Sequence, residues 1–163
     1  VQQSIHIHAS IAQVFEFWTE IRNFPYFMSR VREVQEIDDS RSYWRVTGPA
    51  GLPVEWTAEI TRLEPQQLIE WRCDDRAAVK HCGRVRFEKD GENGTRVHVQ
   101  LRYFPPAGAV GHVVATLFGA DPKSGLDADL MRMKSMLETG HPPHDAARPI
   151  ASPSDIRRGA GAA

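Results

Sequence analysis

The stretch VEWTAEIT at residues 54–61 decides the fold, because apolar and polar side chains alternate along it without a break. Its apolar members are Val54, Trp56, Ala58 and Ile60. A period of two predicts a β-strand with one buried and one solvated face. Residues 95–103 repeat the alternation, with Val97, Val99, Leu101 and Tyr103 on the apolar face. A sheet of such strands needs a covering layer on one face only, which excludes the parallel folds that are covered on both faces.

Five further segments, separated by turn residues, extend this sheet along the chain. The seven predicted strands are residues 4–8, 31–37, 43–47, 54–63, 68–73, 85–88 and 95–103. Turn residues such as Asp38-Asp39-Ser40 and Glu64-Pro65 leave only short connections from the second strand onward. Short connections predict antiparallel neighbours, because a parallel crossover needs a dozen residues or more.

Helices are predicted after the first strand and after the last one. Ser10 is a suitable N-cap with Gln13 placed to reach back to it, and an apolar helical stripe follows. The aromatic stretch FPYFM at residues 24–28 predicts a second short helix or turn packed over the core. Helical spacing recurs in residues 110–118 and again from Pro122 to Gly140, which predicts one long C-terminal helix with a kink.

The length of 163 residues suits one α+β domain with one core. We assign the folded domain to residues 1–140. Residues 141–163 are rich in Pro, Ala, Gly and Arg without periodicity, which predicts a flexible tail.

Charge and hydropathy narrow the expected partners. Twenty Lys and Arg residues against 21 Asp and Glu leave a formal net charge of -1, so no overall field favours nucleic acid. No apolar run approaches the roughly 20 residues that span a bilayer, and no secretory leader is visible. We therefore expect a cytoplasmic protein with no integral membrane segment and no nucleic-acid partner, and the sequence names no protein partner.

The cysteines and histidines do not form a recognisable cofactor site. Cys73 and Cys82 fall on opposite faces of their predicted strands, so we expect free thiols. His6, His8 and His98 point outward, but their spacing alone supplies neither the fixed distances nor the fourth donor of a metal centre. Gly-rich phosphate loops and Cys-x-x-Cys pairs are lacking. We expect no metal and no cofactor.

Several local strings resemble a known family. They are FPYFM at 24–28, GPAGLPVEW at 48–56, YFPPAG at 103–108 and LFGADP at 117–122. Together with the order of elements, they resemble the polyketide cyclase/dehydrase and coenzyme Q-binding branch of the START-like (SRPBCC) superfamily. The resemblance implies a helix-grip fold, in which a curved seven-stranded antiparallel sheet and two short helices surround a long C-terminal helix. In that superfamily the fold leaves a cavity for lipids, sterols, quinones or polyketide intermediates, and members include carriers, sensors and some enzymes.

Side chains on the inward faces are the candidates for lining such a cavity. They are Phe27, Met28, Trp44, Val46, Trp56, Ile60, Trp71, Cys73, Val85, Phe87, Val99, Leu101, Tyr103, Val114, Phe118 and Met133. A solid core is the alternative, because protein interiors are close-packed. Wide aromatic side chains on a curved sheet are hard to pack completely, which favours a cavity. The first hypothesis is therefore the binding of a hydrophobic or amphipathic small molecule, such as a lipid, a quinone or a polyketide-like compound.

A cyclase or dehydratase acting in the same cavity is the second hypothesis. It needs polar groups inside the cavity that move protons or stabilise an enolate. His81 and Tyr103 are the candidate catalytic residues, and His81 qualifies only if the strand extends back from Val85 through Gly83. No Asp or Glu falls on the predicted inner face, so a carboxylate base is not expected. A third hypothesis is an interaction domain with a solid interior that docks a partner on its outer face.

Overall fold

Seven antiparallel strands form one sheet in a computed structural model that describes residues 1–48, 51–74, 77, 80–104 and 122–140. The strands are β1 (Gln2–Ile7), β2 (Val31–Glu36), β3 (Arg41–Thr47), β4 (Pro53–Glu64), β5 (Leu68–Cys73), β6 (Lys80–Lys89) and β7 (Thr95–Phe104). Their order across the sheet is β1-β7-β6-β5-β4-β3-β2. Consecutive strands pair from β2 to β7, as short connections require, and β1 closes against β7.

The predicted strands are confirmed, and β6 is longer than predicted. It begins at Lys80 rather than residue 85, and Lys80–Gly83 pair with the end of β7. Gly83 interrupts the apolar alternation in the sequence. For this reason the sequence did not predict a strand before residue 85. Because the strand extends without a shift of register, His81 shares the inward face with Val85, which meets the condition set for it.

A register shift in β4 bends the sheet where it faces the cavity described below. Ile60 pairs with Trp71, but the next pair is Arg62 with Glu70, so one residue of β4 is extra. A β-bulge of this kind kinks its strand and increases the local twist. After the bulge the alternation is shifted by one residue. Leu63 therefore lies on the inner face of the sheet, where strict alternation would place Arg62.

Three helices of the described part of the chain cover the inner face. Helix α1 (Ile11–Thr19) starts with the predicted capping box, in which Gln13 N donates to Ser10 Oγ at 3.2 Å and the Gln13 side chain accepts from Ser10 N. A 3-10 turn (Ile21–Asn23) leads into helix α2 (Phe24–Phe27). Helix α3 (Pro122–Thr139) follows β7, and Gly140 ends it with a positive φ of 76°.

Helix α3 is fastened along β1, at one side of the sheet. Lys134 Nζ donates to the backbone oxygen of His6 at 2.8 Å, and His8 N donates to Glu138 Oε1 at 2.7 Å. The solid part of the core lies here, between the strands β1, β7 and β6 and the helices α1 and α3. Its fully buried members include Ile7, Val14, Val97 and Met133. The inner faces of β3, β4 and β5 border a different part of the interior.

The observed architecture is the helix-grip α+β fold, with a curved antiparallel sheet around a C-terminal helix. The helical pattern at 110–118 and the tail at 141–163 lie outside the described residues, so the kink and the domain boundary stay predictions. Among the described helices, none is long and apolar enough to cross a bilayer.

Candidate functional site

A cavity of about 260 Å³ lies between the inner face of the sheet and the helices. Its wall takes side chains from α1, the 3-10 turn, α2, all strands from β2 to β7, and α3. Trp44, Trp56 and Trp71 are only half-buried although they belong to the inner face, because the space in front of them is hollow. The interior is therefore not the solid core of the alternative hypothesis.

All four tryptophans of the chain line this cavity. Four of the lining aromatic rings and the imidazole of His81 form one row of ring contacts. Neighbouring ring centroids in this row lie 4.9 to 6.3 Å apart. The row runs in the order Trp18, Phe24, Trp44, Trp56, His81. Trp44 and Trp56 are opposite each other on β3 and β4, and their planes are inclined by only 6°. The row presents an aromatic wall that suits a flat apolar guest.

His81 is the most deeply placed titratable group on the sheet side of the cavity. Its side chain is 7% exposed, and Nε2 has no hydrogen-bond partner within the described part of the chain. Its backbone N donates to Cys73 Sγ at 2.9 Å, which fixes this end of β6 to β5. Burial lowers the pKa of His81 from its ordinary value of 6.5 to about 4. The imidazole is therefore neutral at pH 7, with one nitrogen that donates and one that accepts.

Asp129 brings a carboxylate to the cavity from helix α3, and this corrects the expectation that no acid faces the interior. The residue is 4% exposed and lines the cavity. Its Oδ1 accepts from Ser29 N at 3.2 Å and from Arg132 at 2.8 Å, so it ties α3 to the segment after α2. Burial raises the pKa of Asp129 to about 6, and the hydrogen bond from Ser29 and the charge of Arg132 oppose that rise.

The cavity reaches the surface at the turn between β2 and β3, where its lining residues are exposed. This mouth is formed by Glu36, Asp38, Asp39, Ser40 and Arg41. Arg41 pairs with Asp38 at 2.7 Å, which leaves an excess of carboxylates at the opening.

Most of the predicted inward residues lie on the cavity wall. They are Phe27, Met28, Trp44, Trp56, Ile60, Trp71, His81, Val85, Val99 and Leu101. Four others are buried but pack elsewhere. Phe87 contacts the rings of Phe15 and Trp18, Met133 lies in the solid core, Cys73 accepts from His81, and Val46 pairs between β2 and β4. Val114, Phe118 and the side chain of Tyr103 lie outside the described residues, so the proposed role of Tyr103 stays a prediction.

Several lining residues were missed by the sequence reasoning. Trp18 was assigned only to the apolar stripe of α1, and Phe24 only to the aromatic stretch. Asp129 could have been found, because it lies three residues after Leu126 and four before Met133 and so shares their helical stripe. Leu63 carried no signal, since a β-bulge leaves no mark in an alternating pattern.

The outer face of the sheet carries ion pairs instead of a ligand cluster. His6 Nδ1 lies 2.8 Å from Asp90 Oδ2, and His98 Nε2 lies 2.8 Å from Glu88 Oε2. No group of metal-ligating side chains with suitable geometry occurs among the described residues, and Cys73 and Cys82 are not joined in a disulfide.

Comparison with known proteins identifies a family and several related proteins. The family model for polyketide cyclase/dehydrase and lipid transport matches residues 7–131. The crystal structure of DR_A0006 from Deinococcus radiodurans is 34% identical, with a TM-score of 0.69 over 85% of this chain and 96% of that one. An uncharacterized 17.2 kDa protein from the melC2-rnhH intergenic region of Streptomyces lincolnensis is 29% identical over 138 residues, covering 85% of this chain and 89% of the relative. The Zhui aromatase/cyclase from Streptomyces sp. R1128 shares the fold at 18% identity, with a TM-score of 0.60 over 86% and 96% of the two chains.

The fold and its internal cavity define a helix-grip protein. The chain belongs to the polyketide cyclase/dehydrase and lipid transport family. Membership supports a ligand-binding or polyketide cyclase role and names no ligand.

Proposed function

We propose that this protein encloses a hydrophobic or amphipathic small molecule in the internal cavity. The observation that carries the proposal is the hollow of about 260 Å³ behind an aromatic wall. Burial of apolar ligand surface there contributes about 25 cal/mol per Å². An apolar cavity of about 150 Å³ accommodates one benzene ring. A guest of at least two fused rings is therefore the appropriate size.

The tryptophans make this proposal testable without knowledge of the natural ligand. Because all four line the cavity, an uncharged bicyclic quencher such as 1-nitronaphthalene should quench their fluorescence in a saturable manner. Ala58 lies on the wall, so Ala58→Phe fills the cavity with a new ring and should weaken binding at least about tenfold. Met131→Phe adds the same ring at an exposed position of α3 and serves as the matched control.

Saturable quenching that Ala58→Phe removes and Met131→Phe preserves supports binding inside the cavity. Equal affinities in both variants would place the probe elsewhere and refute the proposal. Native mass spectrometry of the purified protein detects a natural ligand that is retained during purification. Such a ligand increases the mass of the protein, and the increase disappears after organic extraction.

A dehydrating cyclase is a second candidate function, favoured by His81 and Asp129 on the wall of the same cavity. The family description and the name of the Streptomyces aromatase/cyclase support this reaction class. The neutral imidazole of His81 is suited to remove a proton next to a ketone. The protonated form of Asp129 is suited to protonate a departing hydroxyl group. A group with a pKa near 6 exchanges protons readily close to neutral pH.

The bicyclic probe 3-hydroxy-1-tetralone tests this second function. Removal of the proton on carbon 2 forms the carbon 2–carbon 3 double bond, and the hydroxyl on carbon 3 leaves with a proton as water. Tautomerisation of the enone then yields fluorescent 1-naphthol. If the protein is an enzyme, His81→Phe and Asp129→Asn should each slow the appearance of 1-naphthol by about a hundredfold or more. Binding of 1-nitronaphthalene without any turnover of the tetralone would support the binding function and argue against the cyclase function.

A further inference from the structure

Two residues of the cavity wall each carry a buried nitrogen atom without a hydrogen-bond partner among the described residues. These atoms are Nε1 of Trp18 and Nε2 of His81. Both side chains are more than nine-tenths buried, at 8% and 7% exposure, and both line the cavity. Buried polar atoms in native proteins are nearly always paired, so each of these two calls for an explanation. A polar guest that reaches these atoms from the cavity is the explanation developed below.

The chemistry of each nitrogen limits the group that can satisfy it. An indole N–H only donates, so Trp18 requires an acceptor such as a carbonyl, ether or hydroxyl oxygen. A neutral imidazole donates through one nitrogen and accepts through the other, so His81 suits a hydroxyl or a carbonyl oxygen. A hydrocarbon satisfies neither atom.

The two nitrogens lie on residues at opposite ends of the aromatic row. Trp18 contacts Phe24 with ring centroids 5.6 Å apart, and His81 contacts Trp56 at 4.9 Å. Between these ends, the indole N–H of Trp44 already donates to Ser42 Oγ at 2.8 Å. The unsatisfied atoms therefore lie on rings that are separated by an apolar row, in which Trp44 and Trp56 are nearly parallel.

We propose that Trp18 and His81 anchor opposite ends of one ligand, a planar ring system with an oxygen at each end. This inference rests on the proposed binding function and adds the chemical class of the guest. Trp18 donates to one oxygen, the rings lie along the aromatic row, and His81 engages the other oxygen. The two anchors select oxygenated ring compounds over the simple hydrocarbon chain of a lipid.

The carboxylates at the mouth of the cavity disfavour a guest with a negative charge. Glu36 and Asp39 are exposed carboxylates at the opening, and the nearby Arg41 is paired with Asp38. A carboxylate on the ligand meets like charge there. An uncharged phenol or quinone does not.

Matched pairs of ring compounds test the two anchors by calorimetry. In the wild-type protein, 2,6-dihydroxynaphthalene should bind about threefold to tenfold more tightly than 2-naphthol, as expected for one added hydrogen bond. The pair 2,6-dihydroxyanthraquinone and 2-hydroxyanthraquinone repeats the comparison over a longer span. Trp18→Phe keeps a ring but removes the N–H, and His81→Phe removes the imidazole. Each variant should bind the two members of a pair equally.

Trp44→Phe is the matched control for the loss of an indole. Its N–H is already bonded to Ser42, so this variant should retain the preference for the second oxygen, whatever its effect on both affinities. Naphthalene itself has no oxygen, so any change in its affinity on Trp18→Phe measures the altered ring contacts alone. Saturable naphthalene binding also shows that Trp18→Phe is folded.

A measurement on the wild-type protein avoids substitution altogether. With ¹⁵N-labelled tryptophan, the Nε1–H resonance of Trp18 should move downfield when 2-naphthol or 2,6-dihydroxynaphthalene is added and not when naphthalene is added. A preference for the second oxygen that survives both Trp18→Phe and His81→Phe in both series overturns the anchoring. Failure of all these ring compounds to bind would instead refute the proposed binding function.

Discussion

Trp56 meets the imidazole of His81 edge to face, with ring centroids 4.9 Å apart and planes inclined by 86°. The contact places aromatic carbon against a titratable ring, and Nε2 of that ring has no hydrogen-bond partner among the described residues. The folded protein therefore disfavours the protonated imidazole, and this has a consequence for stability at acidic pH.

His81→Phe should make the protein less sensitive to acid. The pKa of His81 is about 4 in the folded state against 6.5 as its ordinary value, so the unfolded chain binds the extra proton between these values. The wild type thus loses stability as the pH falls from 6.5 toward 4. When the pH is lowered from 7 to 4.5, the free energy of unfolding of the variant should rise by about 2 kcal/mol relative to that of the wild type. Urea unfolding at the two pH values measures this, and a difference that is independent of pH would contradict it.

Asp129→Asn should show the opposite pH dependence. The folded pKa of about 6 lies above the ordinary value of 3.8, so the folded state holds the extra proton between these values. The wild type therefore loses stability as the pH rises from about 4 to 6, and the variant lacks this loss. When the pH is raised from 4.5 to 7, the free energy of unfolding of the variant should rise by about 2 kcal/mol relative to that of the wild type. The same urea series tests it, with His81→Phe as the control of opposite sign.

Gly83→Ala should destabilise the sheet by about 1 to 3 kcal/mol. A Cβ at this position would lie 2.4 Å from Trp71 Cζ2 and 2.8 Å from the backbone oxygen of Gln100. Trp71→Leu removes the first obstacle and leaves the second. The double variant should therefore lose less stability than the sum of the two single variants. Strict additivity in a double-mutant cycle would show that the two sites do not meet.

Ser10→Ala should cost about 1 kcal/mol, because it removes the capping box of the helix that carries Trp18. Ala12→Ser changes an exposed residue in the first turn of the same helix and should stay within about 0.5 kcal/mol of the wild type. Thermal or urea unfolding compares the two. Equal losses would mean that the cap contributes nothing specific.

Much of the fold followed from local pattern. The alternation around Trp56 predicted a sheet with one apolar face, and the Ser10–Gln13 spacing predicted the start of α1. Both features depend on neighbouring residues alone, since a strand repeats every two residues and a cap joins positions three apart. The inward face predicted in this way contains ten of the residues that line the cavity.

The remainder of the site depends on contacts that local pattern does not contain. The bulge after Ile60 exchanges Arg62 for Leu63 on the inner face, and only the pairing with β5 reveals it. Asp129 meets Ser29 across 100 positions of the chain. The length of β6 also depended on its partners, because pairing with β5 and β7 carries the strand through Gly83 to His81.

The sequence by itself therefore determined which side of each strand is apolar, where α1 begins, and that neighbouring strands run antiparallel. Only the tertiary structure decided that the apolar side encloses a hollow and that Trp18 and His81 stand at opposite ends of its aromatic row. The physical reason is that periodicity sets the direction of a side chain. Whether two surfaces meet or leave a space depends on the curvature of the whole sheet and on the position of α3 along β1.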